Sequence, residues 1–539
     1  MVLERLVGLV GLSGIALAVG CQSADDPADE TESCAPAQID CGAGCTDTTS
    51  DPANCGSCGN GCPEGTFCSL GQCSASCLPS ETVCGRACVD TATSLQHCGG
   101  CDRPCTAGDS CVSGGCVGPG TGGAGSGGGV STGGAETGGP PTGGTTTGTC
   151  SRPLGACTAP TVDITEIEAG VPVRSYGNEG DTLPLPMAIA AKPSGGSRLA
   201  WLGTDDRVYI GELDCDDNLV GTPFSLPAVD LQDLHADDSG GVVLLTREAT
   251  NGGQDNCGNG QLCGGSSSPC RTMWLVRFDA SGNVDWESQV TNLSDSLAGY
   301  DNGARFVWWY QHHGRIAFDG SNYAAYFCIG ITVDNGSCVD IHEGDRMQVV
   351  DSSGSLVSGH PDAFEVGCSH SWQTRIVWDP RTNHFAMVCV TDNDCRIAQP
   401  SPYRTVASGE CDNTLFGGDL VLAATEGYWT AWSQGGQIRL DHFTDGASDQ
   451  SIANAGDSMH PHLVSYGAEN MLLTWESGST MAAQVRSASD GSTVGPEFSI
   501  DVVDHSFQAF KAYPDGSAAY PAAGSNASSI RIARVMPCQ

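Results

Sequence analysis

Cysteine and histidine are the residue types in this chain whose numbers and spacing could do chemistry. Of 539 residues, 30 are cysteine and 12 are histidine. Sixteen cysteines between Cys34 and Cys116 form one pattern written twice. The first copy is Cys34, Cys41, Cys45, Cys55, Cys58, Cys62, Cys68 and Cys73; the second is Cys77, Cys84, Cys88, Cys98, Cys101, Cys105, Cys111 and Cys116. Every gap matches at an offset of 43 residues, while little of the filling is shared beyond Gly42 with Gly85 and Asp47-Thr48 with Asp90-Thr91. Thiols so arranged hold metal or pair with one another. Cys55-Gly56-Ser57-Cys58 and Cys98-Gly99-Gly100-Cys101 have the spacing of zinc knuckles, but each copy carries eight cysteines and no matching histidine, where a zinc site needs four ligands. Disulfides are therefore expected and no metal. Units of about 40 residues bury too little apolar surface to fold without cross-links.

The histidines gather at a different kind of position. His312-His313 precede Arg315, His370 and Trp372 precede Arg375, and His460 and His462 precede Val464, with His235 and His505 placed similarly. Each of these points opens a short apolar run. If the runs are the first strands of propeller blades, the imidazoles and Trp308, Trp309 and Trp372 rim one mouth of a shared channel. Three uses are open to such a rim: a transition-metal site built on neutral imidazoles, acid–base chemistry on a polymer whose sugar rings stack on the tryptophans, or plain packing at strand entries. Packing is the expectation for most of them. His312, His313, His370, Trp372, His460 and His462 are the candidate ligand-binding residues, and no catalytic residue is assigned. His342-Glu343-Gly344-Asp345 lacks the second histidine of a zinc-protease helix. Lys192 and Lys511 are the only lysines, which argues against Schiff-base chemistry and a P-loop. Gly123 to Gly128 and Gly129 to Gly133 match a dinucleotide fingerprint and a nucleophile elbow, yet neither follows a strand or opens a helix. No pair of carboxylates stands out for glycoside hydrolysis. No cofactor is expected.

The elements that would position these residues are strands. From Cys150 to Gln539, short β-rich runs alternate with Gly, Asp, Asn and Ser turns, and no amphipathic helical stretch is visible. Hairpin signals recur at Asp279-Ala280-Ser281-Gly282-Asn283, Asp351-Ser352-Ser353-Gly354-Ser355 and Ser489-Asp490-Gly491-Ser492. Segments of about 35 to 70 residues begin near Leu199, Leu234, Arg315, Arg375, Gly418, His462 and Gln508. Seven segments of four strands predict a β-propeller, with six blades nearly as good a fit and a β-sandwich pair the main rival. The fold class is thus mainly β, small disulfide-rich repeats followed by a propeller. Thirteen cysteines fall in this region. Cys389 is expected opposite Cys395 across a turn, and Cys328 opposite Cys338 across a wider loop. Cys538 is placed to clasp the ring through Cys150 or Cys157.

The N-terminus fixes the expected compartment. An apolar run from Leu6 to Val19, too short to span a bilayer, ends in Ala18-Val19-Gly20-Cys21. It resembles the lipobox of bacterial lipoproteins, in which the cysteine is acylated and becomes the first residue; here Leu17 stands one place further upstream than in that pattern. The resemblance implies a leader over 1–20 and a lipid anchor on Cys21, with an acidic tether over 21–33. The repeats then occupy 34–73 and 77–116. A Gly/Thr-rich linker over 117–149 precedes the propeller-like region at 150–539. With 23 basic and 63 acidic side chains, a formal charge of −40 disfavours nucleic acid as a partner. The repeats resemble the Cys-rich repeats of large bacterial surface lipoproteins and, more loosely, the stigma-specific protein family of plants. Cys45-Thr46-Asp47-Thr48 and Asn54-Cys55-Gly56-Ser57-Cys58-Gly59-Asn60-Gly61-Cys62 carry that likeness, with Cys88-Val89-Asp90-Thr91 and Cys98 to Cys101 in the second copy. It implies an extracellular disulfide module and no catalytic residues. The expected whole is an outer-membrane or cell-surface lipoprotein that binds an extracellular polysaccharide, matrix component or surface protein. The alternative is an extracellular carbohydrate-active or other hydrolytic enzyme.

Overall fold

Strand pairing and disulfides organise everything that can be described of this chain. The computed structural model describes parts of residues 39–117. From residue 150 it describes all but 151, 174–185, 249–262, 264–270, 292–304, 308–312, 335–336, 369–370, 392–394, 412–413, 458 and 504–507. The leader, Cys21, the acidic tether and the linker over 118–149 lie outside the described residues. The chain divides into two compact units, Met1–Gly129 and Val130–Gln539. No helix is found among the described residues.

In the first unit each repeat has a front hairpin and a back hairpin. The fronts are Ile39–Asp40 with Cys45–Thr46, and Thr82–Cys84 with Ala87–Val89; the backs are Phe67–Ser69 with Gln72–Ser74, and Ser110–Val112 with Gly115–Val117. The first back hairpin joins the second front hairpin through a parallel bridge, Cys68 to Ala87, making one four-stranded sheet across both repeats. Disulfides do what an apolar core does elsewhere: the buried cluster consists of Cys55, Cys62 and Cys68. Four bonds are seen, Cys55–Cys68, Cys62–Cys73, Cys77–Cys88 and Cys84–Cys101. Shifted by the repeat offset none coincides with another. In repeat 1 they join the fourth cysteine to the seventh and the sixth to the eighth; in repeat 2 they join the first to the third and the second to the fifth.

The second unit contains seven four-stranded antiparallel sheets. Their innermost strands are Met187–Ala191, Asp230–Asp237, Arg315–Phe318, Ser371–Asp379, Phe416–Leu422, His462–Tyr466 and Lys511–Ala512, here the first strands of blades 1 to 7. Each lies against the next and the seventh lies against the first, so the sheets close a ring. Seven buried apolar clusters fill the seven gaps between blades. Because a blade is covered on both faces, its inner strands read as continuous apolar runs rather than alternating ones. In Ser197–Leu202, fully buried, Leu199 and Trp201 enter the cluster shared with blade 7, while Ala200 and Leu202 enter the one shared with blade 2. The outer strand Leu219–Pro227 is partly exposed. Blade 1 begins at Met187 rather than near Leu199, which lies in its second strand. Met187-Ala188-Ile189-Ala190-Ala191 carries neither aromatic nor hairpin signal, so the pattern did not reveal it.

The ring is closed by a strand from the N-terminal side. Val162–Glu168 pairs with Ser529–Val535 as the outer strand of blade 7. Ahead of it, Cys157 is bonded to Cys538, and Cys150 to Cys215 in blade 1. Arg152 reaches Asp515 of blade 7 at 2.6 Å and the Cys215 carbonyl at 2.5 Å. Arg534 of blade 7 grips Asp217 of blade 1 at 2.8 and 2.5 Å and stacks on the Tyr513 ring.

Other pairings differ from expectation. Cys389 is bonded to Cys368, and Cys395 to Cys411. In the strand register Cys389 stands opposite Ala398, three residues beyond Cys395, so the hairpin never brings the two together. Cys338 is bonded to Cys263. Cys328 lies buried within Asn322–Asp334 opposite Asp345, six residues from the end of a hairpin whose tip carries Cys338. Disulfides in both units fit an extracytoplasmic location.

Candidate functional site

Three of the seven innermost strands carry a β-bulge, and the bulges decide what lines the centre. The register shifts between Leu231 and Asp233, between Ser371 and Gln373, and between Gly417 and Leu420. An extra residue re-aims the side chain that follows it. In all three blades that side chain accepts a backbone N–H from a neighbouring inner strand: Asp233 from Ile316 at 2.9 Å, Gln373 from Gly417, and Asp419 from Leu463 at 3.4 Å.

The centre is filled with charge. Lys511 of blade 7 reaches past the alanines of blade 1 to Asp233 of blade 2, at 2.9 Å. Arg315 of blade 3 donates toward the Gln508 carbonyl beside blade 7, at 3.4 Å, across the ring. Arg375 of blade 4 pairs with Asp419 of blade 5 at 2.8 Å, and His462 of blade 6 approaches the other oxygen of Asp419 at 3.3 Å. Burial alone would raise the Asp419 carboxyl, but Arg375, His462 and Arg315 outweigh it and hold it at about 2. Burial, helped by the like charge of Arg315, pulls Arg375 down to about 10 against the attraction of Asp419. Arg375 and His462 join adjacent blades through Asp419, while Lys511–Asp233 and Arg315–Gln508 reach across two and three blades, so charged side chains plug the axis.

Among the described residues, the histidines singled out above do not form one cluster. His312 and His370, like Trp308 and Trp309, lie outside the described residues, and Trp372 is the bulged position of blade 4. His313 is buried, and its carbonyl accepts the Thr374 hydroxyl at 2.6 Å. His462 is 1% exposed and packs on Phe510 and Tyr520 between blades 6 and 7. His460 is half-buried, edge-on to Phe416 and 3.0 Å from Glu476. His235 is held at about 4 by burial, against Phe318 and Tyr323, and stays neutral near pH 7. Sequence reasoning missed the buried ion network. Its signal was present: Arg315-Ile316-Ala317-Phe318-Asp319 and Arg375-Ile376-Val377-Trp378-Asp379 repeat one phrase with a charge heading an apolar strand.

The two faces of the ring are unlike. Turns joining first to second and third to fourth strands share one face. There Asp237, Asp279, Asp319, Asp351, Asp490 and Asp515 each accept backbone N–H groups of their own turn. Hydrogen bonding within those turns lowers the Asp279, Asp351 and Asp490 carboxyls. These six of the 63 acidic side chains therefore serve turn chemistry. The entry segment with Cys150, Arg152 and Cys157 is stitched to this same face. Connections from second to third strands and from blade to blade lie on the opposite face, and the long insertions all fall there. Three disulfides staple them in series along blades 2 to 5: Cys263–Cys338, Cys368–Cys389 and Cys395–Cys411. The second-to-third turns of blades 6 and 1 on that face are tight, Ser477 to Thr480 and Gly203 to Arg207, whereas the connections into blade 1 and out of blade 6 run over 169–186 and 501–510.

The model of the Stigma-specific STIG1-like protein family matches residues 22–76 and 70–118. The match covers the cysteine repeats alone. No curated protein matches the chain. Among solved structures, the Dos1 propeller aligns at 11% identity over 64% of this chain and 78% of its own, with a TM-score of 0.33. A GH93 alpha-L-arabinofuranosidase of Fusarium graminearum aligns at 11% identity over 65% and 92%, TM-score 0.34. An intramolecular trans-sialidase from Ruminococcus gnavus aligns at 12% identity over 68% and 97%, TM-score 0.33. Binding domains and glycan-processing enzymes stand side by side in that set, and likenesses this distant carry no argument about function. The propeller assignment rests on sheet order and ring closure.

Proposed function

We propose that this chain is a bacterial envelope lipoprotein, acylated at Cys21, whose propeller binds an extracellular polymer without turning it over. The observation that supports this most directly is the opposition of the two faces. The chain enters the propeller on the turn face, so the insertions of blades 2 to 5 point away from the entry. Three disulfides, Cys263–Cys338, Cys368–Cys389 and Cys395–Cys411, tie neighbouring connections on that face, which supports a preformed binding surface beside the connection between blades 2 and 3. The connection between blades 2 and 3 supplies Tyr300, Trp308, Trp309 and Tyr310, the residue types that stack on sugar rings. A polysaccharide is therefore the favoured ligand class. The plugged axis and the burial of His462 against Asp419 favour binding over hydrolysis.

The test is a glycan and polymer array probed with the full chain, with product analysis of the same samples. The expected result is saturable binding, lost when residues 292–312 are replaced by a short Gly/Ser turn, with no new reducing ends. Appearance of shortened polymer would overturn the non-catalytic reading; no binding to any glycan would overturn the ligand class. Metabolic labelling with a fatty acid, lost in Cys21→Ala, tests the anchor.

A further inference from the structure

One guanidinium in the propeller stands apart from the rest. Arg439 lies in the third strand of blade 5, Gln437–Phe443, directly opposite Trp432 of the second strand, Tyr428–Gln434. Its guanidinium carbon sits 5.1 Å from the centre of the Trp432 ring. Every other arginine of the propeller with a described side chain bonds an acid, a hydroxyl or a carbonyl. Among the described residues Arg439 bonds none of these, and its Nε is buried without an acceptor. A native fold leaves few buried donors unmatched. Asp441, two residues along on the same face, is committed elsewhere: it accepts the Trp432 Nε1–H at 2.5 Å and the Ser448 hydroxyl at 2.9 Å. Those bonds fix the ring on which Arg439 rests. The backbone also opens beside it. Ile438 pairs with Gly456 and Leu440 with Ile452, so Ala453-Asn454-Ala455 of the fourth strand bulge opposite Arg439, with Asn454 left-handed at a φ of 56°. Trp432 packs between blades 4 and 5 in one cluster with Cys395, whose bond to Cys411 is one of the three on the insertion face.

We propose that Arg439, held over Trp432, is a subsite for the carboxylate of a uronic acid in an extracellular polysaccharide; this deepens the binding role above and rests on it. A guanidinium offers parallel donors that match the two oxygens of a carboxylate, and the charge strengthens both bonds. With Nε buried, the terminal nitrogens are the donors that meet the ligand. Contact with the indole ring holds the cation in place and leaves that edge for an acceptor. The formal charge of −40 repels a polyanion at long range. An acidic glycan is therefore held by directed pairing at a point and not by general attraction.

The test measures binding of the full chain to alginate, hyaluronan and polygalacturonate, each beside its carboxyl-reduced form. Salt is kept at about 0.15 M, where charges more than about 8 Å away are screened. The expected result is that at least one acidic glycan binds at least about tenfold more tightly than its reduced form. Arg439→Gln should abolish that preference. The variant should also keep its melting temperature to within about 3 °C, because no ion pair or hydrogen bond is lost with the guanidinium. Equal binding of the acidic and reduced forms overturns the subsite whatever the variant does. So does a preference that survives in Arg439→Gln, or binding confined to neutral glycans, and in these cases the polysaccharide reading stands. Binding to no glycan, acidic or neutral, removes that reading and the subsite with it.

Discussion

Asp419 shows how much a single side chain can hold in this ring. It lies beside Arg375 and His462 and accepts from Leu463, so three consecutive blades meet on one carboxylate. Removing one member of a buried pair leaves the other charge unmatched, which typically costs about 3–5 kcal/mol. Asp419→Asn should accordingly lower the melting temperature sharply, while Asp419→Leu with Arg375→Met should recover most of the loss. Equal melting of the single and double variants would show that the pair does not act as a unit. The acid limb follows from the same group. Its folded value of about 2 lies below the ordinary 3.8, so its contribution is complete above pH 4 and fades as pH falls toward 2. His235 acts in a separate window. Its folded value of about 4 lies below 6.5, so unfolded chains gain a proton that folded ones refuse, and stability falls as pH drops from 6.5 to 4. That fall amounts to about 3 kcal/mol at most. His235→Phe should flatten the melting-temperature profile across that interval and leave the steeper loss below pH 4. A profile unchanged by the substitution would place the His235 titration elsewhere. Burial makes His235 and His462 packing residues, the use expected for most strand-entry histidines, but residue types did not announce that the centre belongs to arginine, aspartate and Lys511.

At the scale of elements, legibility follows locality. Hairpins with their own Asp/Gly chemistry were readable, because Asp279 and Asp351 fix their turns through neighbours two to four residues away. Cross-links were not, because a disulfide depends on register and on which connections share a face. Cys389 missed Cys395 by the strand register, and Cys263 found Cys338 across 75 residues. Cys157–Cys538 spans 381 residues and locks the closing strand Val162–Glu168 in place. In the chain-entropy account, long loops give the largest stabilisation, about 6 kcal/mol for one of this size. Cys157→Ser with Cys538→Ser should therefore destabilise the propeller by up to that amount. Amide exchange should speed first in Val162–Glu168 and Ser529–Val535, before any other blade. Cys395–Cys411 closes only 16 residues and sits at the loop face. Its removal should cost about 3 kcal/mol or less and should weaken polymer binding more than it lowers the melting temperature. If the closure pair proved neutral to both melting and exchange, the backbone pairing alone would be sufficient to shut the ring.

For the whole molecule, the two units hold themselves together by different physics, and that difference is measurable. The propeller owes its stability to seven apolar clusters, one in each gap between blades, so no blade is independent of its neighbours. The first unit, among its described residues, buries only three cysteines as a cluster and is cross-linked throughout. Reduction should therefore separate them. Each native disulfide in a small domain is worth about 2–5 kcal/mol, more in sum than a 40-residue repeat can replace from packing. Under a reductant strong enough to open all bonds, residues 34–116 should become fully exchangeable and protease-sensitive. The propeller should keep a single cooperative transition at a lower temperature, since its clusters remain buried after Cys157 and Cys538 part. Limited proteolysis with mass spectrometry, run with and without reductant at one temperature, reads both outcomes at once. Survival of the repeats after complete reduction would mean that their short hairpins are sufficient without sulfur, and the disulfides would then be reinforcements of a fold that backbone pairing already specifies.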